Sequence, residues 1–315
     1  MEIREFNEED EGAIRNLFAL CFGKELSYEK WAWKYKGSPW GSTAVVAVNK
    51  DSIIAHYGGL RMKFYFKDKT FDVFQPCDVM THPKYRARIF SKRGAMVRAG
   101  EHFYEANPMD FAFGFPSERH AILGTKQLGY TKHGYVTVLS RKVSGFRPSW
   151  NPLLKVEKVW DSINGSDLDA LWEKIKDKHG LSIEKNSHYI FWRYKDNPVK
   201  RYKPLIVRGR YKKTLKAFAV FSVSESELSI LDFFYVDTLD IRILFRLFES
   251  IAIKYGLDSI TLWVNPNEAV CKLLIDYGFI QKRGVPYIFK IMNNEIDPLF
   301  LFENYCYRMG DYDAS

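Results

Sequence analysis

One short aromatic motif occurs twice in this chain. Trp33-Lys34-Tyr35 recurs 159 residues later as Trp192-Arg193-Tyr194. A second pair of motifs closes each half, Leu128-Gly129-Tyr130 and, 149 residues further on, Tyr277-Gly278-Phe279. Two markers in the same order and at nearly equal spacing predict a duplicated unit of roughly 130 residues. Paired aromatic residues beside a cation most often anchor a short helix on a sheet, so we interpret the first motif as a packing element.

Length and composition agree with two globular units. The chain has 315 residues, of which 46% are hydrophobic and 27% charged, as in soluble globular proteins. The longest apolar runs have the length of strands and are too short to span a bilayer. The acidic N-terminus does not resemble a secretory signal. We therefore expect no membrane contact and a cytoplasmic location.

Cysteine spacing and charge narrow the function classes. The four cysteines are far apart, so neither a zinc site nor a disulfide framework is predicted, and we expect no metal. The net charge of +9 is concentrated in residues 81–102, with six Lys or Arg against Glu101, and in 193–216, with ten against Asp196. Such clusters attract a phosphorylated cofactor or a nucleic acid, although a solvated basic face is an equally valid interpretation.

Hydrophobic periodicity predicts the same mixed α/β order in both halves. In the first half we expect two helices first. Strands then follow at 43–48, 52–58, 60–66, 70–81, 110–115 and 136–143, with helices at 91–106 and 117–128. In the second half we expect helices at 168–180, 187–194, 241–255 and 268–277, and strands at 205–210, 216–223, 228–236, 259–264 and 287–291. The predicted class is α/β (mixed α+β), with two mostly antiparallel central sheets flanked by helices. The predicted domains are 1–145 and 168–293, with a connector at 146–167 and an acidic aromatic tail at 294–315.

Three stretches carry a family resemblance. They are 79–86, which reads Val-Met-Thr-His-Pro-Lys-Tyr-Arg, then 113–117, which leads to Leu128-Gly129-Tyr130, and 264–267, which leads to Tyr277-Gly278-Phe279. They resemble the strand, phosphate-binding turn and pantetheine-binding strand of the GCN5-related N-acetyltransferases, here in tandem. The resemblance implies acetyl-CoA or another acyl-CoA as cofactor. It assigns cofactor contacts in the first half to Val79, Met80, Thr81, Lys84, Arg86, Arg88, Ile89, Phe90, Phe115 and Ser117.

The phosphate loop departs from the family pattern. A pyrophosphate binds at a helix N-terminus when small residues leave the backbone N–H groups open. Here the segment 86–90 reads Arg-Ala-Arg-Ile-Phe, without glycine, and bulky Ile89 stands at the point of close approach. In the second half the matching segment 236–242 holds two aspartates and no glycine. We therefore expect the first copy to bind the cofactor and the second to serve as a structural partner that shapes the acceptor cleft between the domains.

Candidate catalytic residues follow from the same resemblance. The position of the family's tyrosine acid is occupied by Thr125 in the first half and Leu274 in the second. In the first half Tyr130, Tyr135 or Thr125 could take its place, and Tyr130 is included among the candidate catalytic residues. Candidates for a general base are Asp78, His82 and His120, because a group that accepts a proton near neutral pH suits attack by an amine. A turn histidine at 82 and a helix-surface histidine at 120 remain open alternatives.

The predicted function is transfer of an acetyl or other acyl group from acyl-CoA to an amine of a small molecule or peptide. One alternative is a non-catalytic binding or scaffold module, suggested by the missing glycines and tyrosines. Another is a Fem-type aminoacyl-tRNA-dependent transferase, in which residues 193–216 would contact RNA phosphates. Nucleic acid is not the favoured partner, because the long helical hairpin of that class has no counterpart here. The oligomeric state stays open.

Overall fold

The computed structural model describes residues 1–88, 94–143, 145, 152–211 and 213–312. The chain forms two compact units, each built from several segments. The first unit comprises Met1–Phe64, Thr70–Gly134 and Val285–Phe302, and the second comprises Tyr65–Lys69, Tyr135–Gly284 and Glu303–Ser315. Each unit thus includes the last strand of the other sequence half. The predicted domain limits, drawn along the sequence, remain a prediction.

The elements of the first half follow the predicted order. They are β1 Glu2–Glu5, α1 Glu11–Phe22, α2 Tyr28–Tyr35, β2 Ser42–Asn49, β3 Ser52–Phe66, β4 Lys69–Thr81, α3 Ala95–Ala106, β5 Phe111–Gly114, α4 Glu118–Gln127 and β6 Thr131–Lys142. Helix starts obey local chemistry, since the side chain of Ser27 accepts from the Lys30 N–H at the start of α2 and that of Ser117 accepts from the His120 N–H at α4. Gly23 ends α1 with φ of 68°, a conformation that favours glycine.

The second half continues in the same manner. Its elements are β7 Leu154–Glu157, α5 Gly165–Ile175, β8 Ser182–Ile183, α6 Ser187–Ile190, β9 Lys203–Gly209, β10 Leu215–Val223, β11 Glu227–Tyr235, α7 Thr238–Lys254, β12 Ser259–Trp263, α8 Ala269–Asp276, β13 Ile280–Ile291 and α9 Pro298–Asn304. Among the described residues, no helix is both long enough and apolar enough to cross a membrane.

In the first unit the strands lie in the order β1-β2-β3-β4-β5-β13. The β1–β2, β2–β3 and β5–β13 pairs are antiparallel, and the β4–β5 pair is parallel. One face packs on α3 and α4 through a core that includes Tyr57, Phe74, Phe103 and Leu128. In the second unit the order is β6-β12-β11-β10-β9-β7, with β11 and β12 parallel. The predicted mixed α/β class with mostly antiparallel sheets is confirmed.

Several local expectations differ from the structure. The two strands expected at 52–58 and 60–66 form the single strand β3, which runs through Gly58 and Gly59. These glycines are needed for space, because a Cβ at Gly58 would lie 2.5 Å from the Tyr35 hydroxyl and one at Gly59 would lie 2.4 Å from the Phe103 ring. Helix α3 begins at Ala95, and the expected start at Ser91 lies outside the described residues.

The expected connector and tail are parts of the units. Segment 146–167 contains β7, which pairs with β9 from Leu154↔Gly209 to Glu157↔Ile206, and also the start of α5. The tail contains α9, and beyond it the side chains of Tyr305 and Tyr307 are fully buried. Burying two tyrosines contributes several kcal/mol, so residues 305–312 belong to the core of the second unit.

Candidate functional site

In the first unit two parallel strands separate after a short region of pairing. Val73 pairs with Phe111 and Phe74 with Ala112. Beyond these pairs, within the described residues, β4 continues to Thr81 and β5 to Gly114 without a further ladder between them. Divergent strands leave backbone N–H and C=O groups of β4 available to a ligand. The predicted cofactor residues Val79, Met80 and Thr81 lie on this free part of β4, and Phe115 and Ser117 follow β5.

The end of β4 is tied to the turn that follows it. The carbonyl oxygen of Thr81 accepts hydrogen bonds from the Arg86 Nε at 2.9 Å and from the Cys21 Sγ at 3.3 Å. The side chains of Met80 and Thr81 are buried. The guanidinium of Arg86 is thereby held at the strand end, while Lys84 is exposed in the turn.

His82 is a turn residue. Its Nδ1 accepts a hydrogen bond from the backbone N–H of Lys84 at 3.2 Å, and its ring packs edge-on against Tyr85 at 5.7 Å. Because Nδ1 is an acceptor, the neutral ring carries its proton on Nε2. This geometry matches the alternative interpretation of His82 as a histidine that shapes the strand end.

The start of α3 is open. Its N-cap is Gly94, which offers no side-chain cap, and its first turn contains no acidic residue. Free N–H groups at such a helix start bind anions. Sequence reasoning missed Gly94-Ala95, the N-cap and first residue of an amphipathic helix, because it sought glycine nearer to Arg86. Of the predicted contacts, Ile89, Phe90 and the side chain of Arg88 lie outside the described residues.

His120 lies in the first turn of α4, next to the end of β5. Its Nδ1 is 3.0 Å from the Ser117 Oγ. Loss of hydration lowers the pKa of His120, and the positive charges of Arg119 and Arg86 lower it further. The structure therefore brings His120 close to Arg86, and a lowered pKa keeps its exposed imidazole neutral at pH 7.

Asp78 lies in a buried polar cluster. Its carboxylate accepts hydrogen bonds from the Lys34 Nζ at 2.9 Å and the Tyr35 hydroxyl at 2.8 Å, and its carbonyl oxygen is 2.8 Å from the His56 Nδ1. Burial acts to raise the pKa of Asp78, but the charge and hydrogen bond of Lys34 outweigh burial, and the pKa is lowered. With φ of 48°, Asp78 also bends β4. An ion-paired carboxylate inside the protein suits positioning of the strand better than proton abstraction.

Tyr130 is likewise interior. Its hydroxyl bonds to that of Tyr104, which bonds to that of Tyr57 at 2.7 Å. Burial first, and then the neighbouring Tyr57, raise the pKa of Tyr130 well above its ordinary value. The three hydroxyls satisfy one another within the core of the first unit. Tyr130 thus ends a chain of three hydrogen-bonded tyrosines in the core to which α3 contributes.

The second unit has the same divergence of parallel strands. Ladder pairs join β11 and β12 from Glu227↔Ser259 to Ile230↔Leu262, and β11 then continues to Tyr235. Around this point lie the chain's last described residues. The Asn265 side chain donates to the Tyr305 carbonyl at 2.9 Å, and the Tyr312 ring packs on Trp263 at 5.5 Å. The strand pair of the second unit is therefore covered by the unit's own C-terminal segment.

A buried ion pair fixes that segment to the start of α8. The guanidinium of Arg308 binds both carboxylate oxygens of Glu268, at 2.7 and 2.6 Å, and lies over the Phe233 ring at 4.4 Å. Burial acts to raise the pKa of Glu268, but Arg308 outweighs it and the pKa is lowered. Bidentate pairs of this kind are among the stronger charge-assisted hydrogen bonds.

Helix α7, the counterpart of α3, starts differently. Asp237 is its N-cap, and the carboxylate accepts from the N–H groups of Leu239 and Asp240 at 2.9 and 3.0 Å. Burial first, and then the charge of Asp237, raise the pKa of Asp240. The N–H groups that could hold a phosphate at this helix start are thus already bound by a carboxylate of the chain.

The repeated aromatic motif performs the same task in both units. The Tyr194 hydroxyl donates to Asp232 at 2.9 Å, as that of Tyr35 does to Asp78. A lysine neutralises the aspartate in each case, Lys34 in the first unit and Lys185 in the second, where Nζ lies 2.7 Å from Asp232. The motif is a structural anchor in which a tyrosine and a lysine hold a buried aspartate of the bent strand.

Comparison with known proteins agrees with this geometry. Residues 2–134 match the family model described as an acetyltransferase (GNAT) domain. Among curated proteins, no sequence matches this chain. Solved structures share the fold over nearly the whole chain at low sequence identity.

Three of these structures are notable. A protein from Enterococcus faecalis V583 designated "Probable N-Acyltransferase" has a TM-score of 0.73 and 10% identity, over 96% of this chain and 75% of its own. A GCN5-related N-acetyltransferase from Anabaena variabilis ATCC 29413 has a TM-score of 0.70 and 14% identity, over 92% and 73%. Eis1 from Mycobacterium abscessus has a TM-score of 0.63 and 13% identity, over 96% and 82%. The family-model match assigns an acetyltransferase (GNAT) domain to residues 2–134 of the chain.

Proposed function

We propose that the protein is an acyl-CoA-dependent N-acyltransferase with one cofactor site per chain, located in the first unit. The observation that carries this proposal is the contrast between helix starts. Helix α3 begins at Gly94 without a side-chain cap or an acidic residue, whereas α7 is capped by Asp237. A pyrophosphate carries the charge that an open helix start favours and that a carboxylate cap repels.

The residues around α3 fit such a cofactor. The N–H groups after Gly94 would bind the pyrophosphate, and Arg86 and Lys84 would add positive charge beside it. Backbone groups of Val79, Met80 and Thr81 on the part of β4 beyond its pairing with β5 would bind the pantetheine chain, with Phe115 and Ser117 just after the end of β5. Acyl-CoA supplies the acyl group as an activated thioester. Preorganised N–H groups at the strand edge would stabilise the oxyanion that develops in the transition state.

Among the predicted catalytic residues, we propose His120 as the general base. Its imidazole is exposed and lies beside Arg86, and its lowered pKa keeps it neutral and able to accept the proton of an attacking ammonium. His82 is the second candidate, on the turn after β4. We propose positioning roles for Asp78 and Tyr130, because their side chains are held by buried partners.

The acceptor is an amine of a small molecule or peptide. We propose that the second unit is a tandem copy that no longer takes a cofactor, because its own residues 305–312 cover the diverging strands. This assigns the duplication a structural role and leaves one reaction centre per chain.

Two coupled measurements test the proposal. Acetyl-CoA at 100 times its dissociation constant should stabilise the protein by about 2.7 kcal/mol, visible as a rise in melting temperature. Thiol release from acetyl-CoA should then depend on an added amine, screened with a polyamine, an aminosugar and a lysine peptide. A protein that shows neither response would be a non-catalytic module. A protein that ignores acetyl-CoA but binds tRNA with a steep salt dependence would support the aminoacyl-tRNA alternative.

A further inference from the structure

The second unit contains a pocket that acyl transfer leaves unexplained. Its volume is about 430 Å³, within the range of small-molecule sites. Three cationic residues line it, Arg193, Lys200 and Arg201. They begin the basic stretch 193–216, which the proposed reaction does not use. The pocket therefore gives this charge cluster a location where it could act.

The charge of the pocket is one-sided. No carboxylate lines it in the part of the chain that the structure describes. The nearby carboxylates of Asp232 and Asp311 are buried, and both are bound by Lys185 at 2.7 Å. Lys200 and Arg201 are exposed, so their charge faces solvent at the pocket rather than the buried acids. An anion entering here meets net positive charge.

The walls of the pocket are held in place. Arg193 is buried and donates to the carbonyl oxygens of Gly310 at 2.9 Å and Tyr312 at 2.7 Å, which fixes the C-terminal segment as one wall. A Cβ at Gly310 would overlap the Tyr194 hydroxyl, so glycine at this position lets the C-terminal segment pack directly against Tyr194. Preformed walls reduce the entropy lost when a ligand binds.

The remaining lining supplies hydroxyl and ring contacts. Ser222 and Ser229 are opposite each other on β10 and β11 and both line the pocket. Cross-strand partners project to the same face of a sheet. The Ser229 hydroxyl donates to the Glu227 carboxylate at 2.9 Å, so Ser222 is the hydroxyl that this pair offers to a ligand. Tyr202, Leu231 and Tyr312 add an aromatic and apolar surface. A ligand with an anionic group and a flat apolar body would match both parts.

We propose that this pocket binds a small phosphomonoester, with the phosphate at Lys200 and Arg201 and a ring against Tyr202 and Leu231. A phosphate monoester carries a charge of about −1.5 to −2 at pH 7 and three acceptor oxygens. Two cationic groups and the Ser222 hydroxyl satisfy three phosphate oxygens better than they satisfy a carboxylate, which has one charge and two oxygens. The site is separate from the start of α3 and does not depend on the proposed cofactor.

Calorimetric titration with phenyl phosphate tests this inference on the full chain. We expect binding that weakens with added salt. Arg201→Ala should weaken binding by about tenfold, since a hydrogen bond to a charged group is worth about that factor or more. The matched control is Arg210→Ala, which removes the same charge from an exposed residue of the same basic stretch outside the pocket, and it should leave binding unchanged.

Comparison ligands define the results that would overturn the proposal. Phenol should bind at least tenfold more weakly than phenyl phosphate, and benzoate should be intermediate. Equal affinity for all three compounds, or no heat with phenyl phosphate at millimolar concentration, would refute a phosphate site. Equal losses in the Arg201 and Arg210 variants would show a general basic face and would refute it as well.

Discussion

The parallel pairs β4–β5 and β11–β12 diverge in the same way, yet they face different surroundings. Between β4 and β5 the chain forms α3, whose N-cap Gly94 has no side chain. Between β11 and β12 it forms α7, which is capped by Asp237, and the strands themselves are covered by the chain's last described residues. What both units keep is the buried anchor of tyrosine, lysine and aspartate. The two units thus share the side chains that hold Asp78 and Asp232, and they differ in the residues that would meet a cofactor.

This difference shows how a single cap residue changes what a helix start offers to an anion. A helix start binds an anion through N–H groups that the helix itself cannot satisfy. One aspartate at the cap satisfies two of them and adds a negative charge. The C-terminal segment then fills the opened strands with Tyr305, Tyr307 and the Arg308–Glu268 pair, so the second unit gains stability where the first retains an opening.

The largest expected effect concerns the lysines of the two anchors. Lys185→Met leaves Asp232 and Asp311 buried without their shared cation, whereas Lys34→Met leaves only Asp78 without its cation. Removing one partner of a buried pair costs about 3–5 kcal/mol. We expect Lys185→Met to lie at or above the upper end of that range and Lys34→Met near the lower end, as measured by urea unfolding.

A double variant checks that this cost is electrostatic. Lys34→Met combined with Asp78→Asn should recover part of the loss, because the buried charge is removed with its partner. If Lys34→Met cost less than about 1 kcal/mol, within the range of exposed pairs, the anchor of the first unit would not depend on its ion pair.

The next effect transfers the cap of the second unit to the first. Gly94→Asp would place at α3 the carboxylate that Asp237 places at α7. Repulsion of the pyrophosphate should weaken acetyl-CoA binding by about 2–3 kcal/mol, since like charges brought together cost several kcal/mol. Calorimetry measures the change in dissociation constant.

A neutral cap separates charge from shape. Gly94→Ser also caps the helix but carries no charge, and it should retain most of the affinity. Asp237→Ala in the second unit should leave acetyl-CoA binding unchanged. Equal losses for Gly94→Ser and Gly94→Asp would show that the start of α3 fails for steric reasons and would remove the basis of the comparison.

Substitution of Gly58, which lies beside Tyr35 of the first anchor, should have a smaller effect on stability. In Gly58→Ala the new Cβ would lie 2.5 Å from the Tyr35 hydroxyl and 2.9 Å from the Cys77 carbonyl oxygen. Overpacking of this kind costs about 1–3 kcal/mol. Gly12→Ala is the control, because its Cβ meets no atom within 4 Å and the residue lies in α1. That variant should stabilise the protein by about 0.5–1 kcal/mol, and destabilisation by both would contradict the account.

The smallest effect is a difference in pH dependence between the two aspartates. The pKa of Asp78 is lowered by folding, so its stabilisation is complete above the unfolded pKa near 4 and is lost as the pH falls through the lower folded pKa. The pKa of Asp232 is raised, chiefly by burial, so ionisation of Asp232 destabilises the folded state. Protonation removes this destabilisation as the pH falls from the raised pKa toward 4. Each pKa unit corresponds to about 1.4 kcal/mol.

Unfolding free energies of Asp78→Asn and Asp232→Asn measure this contrast. Relative to wild type, Asp78→Asn should lose less stability on acidification below pH 4. Asp232→Asn should fall further behind wild type as the pH decreases toward 4. The same trend in both variants would show that the two anchors are electrostatically alike.

Local sequence patterns were sufficient to predict the elements and the fold class. Alternating and helical periodicity depends on neighbours within a few residues, so the strands at 43–48 and 216–223 and the helix at 241–255 are close to their observed bounds. The motif around Trp33 was correctly interpreted as an anchor, because its duplication pointed to packing. Its lysine and tyrosine prove to hold an aspartate 43 or 44 residues away.

Features that depend on distant partners could not be predicted. Nothing near Pro298 indicates that the following residues enter the core of the second unit, since their partners at Asn265 and Glu268 are about 40 residues away. The choice of Asp78 as a general base rested on its place in a strand, and the burial that pairs it with Lys34 is a tertiary property. Gly94 was overlooked because the family pattern placed its glycine earlier in the loop.

Hydrogen–deuterium exchange with and without acetyl-CoA tests most directly whether only the first unit takes the cofactor. We predict slower exchange at the first amides of α3, from Ala95 to Arg98, and at 114–117, with no change at 237–241 or 263–268. Protection at the start of α7 or between β11 and β12 would contradict the assignment of the second unit. Absence of protection in both regions would contradict cofactor binding altogether.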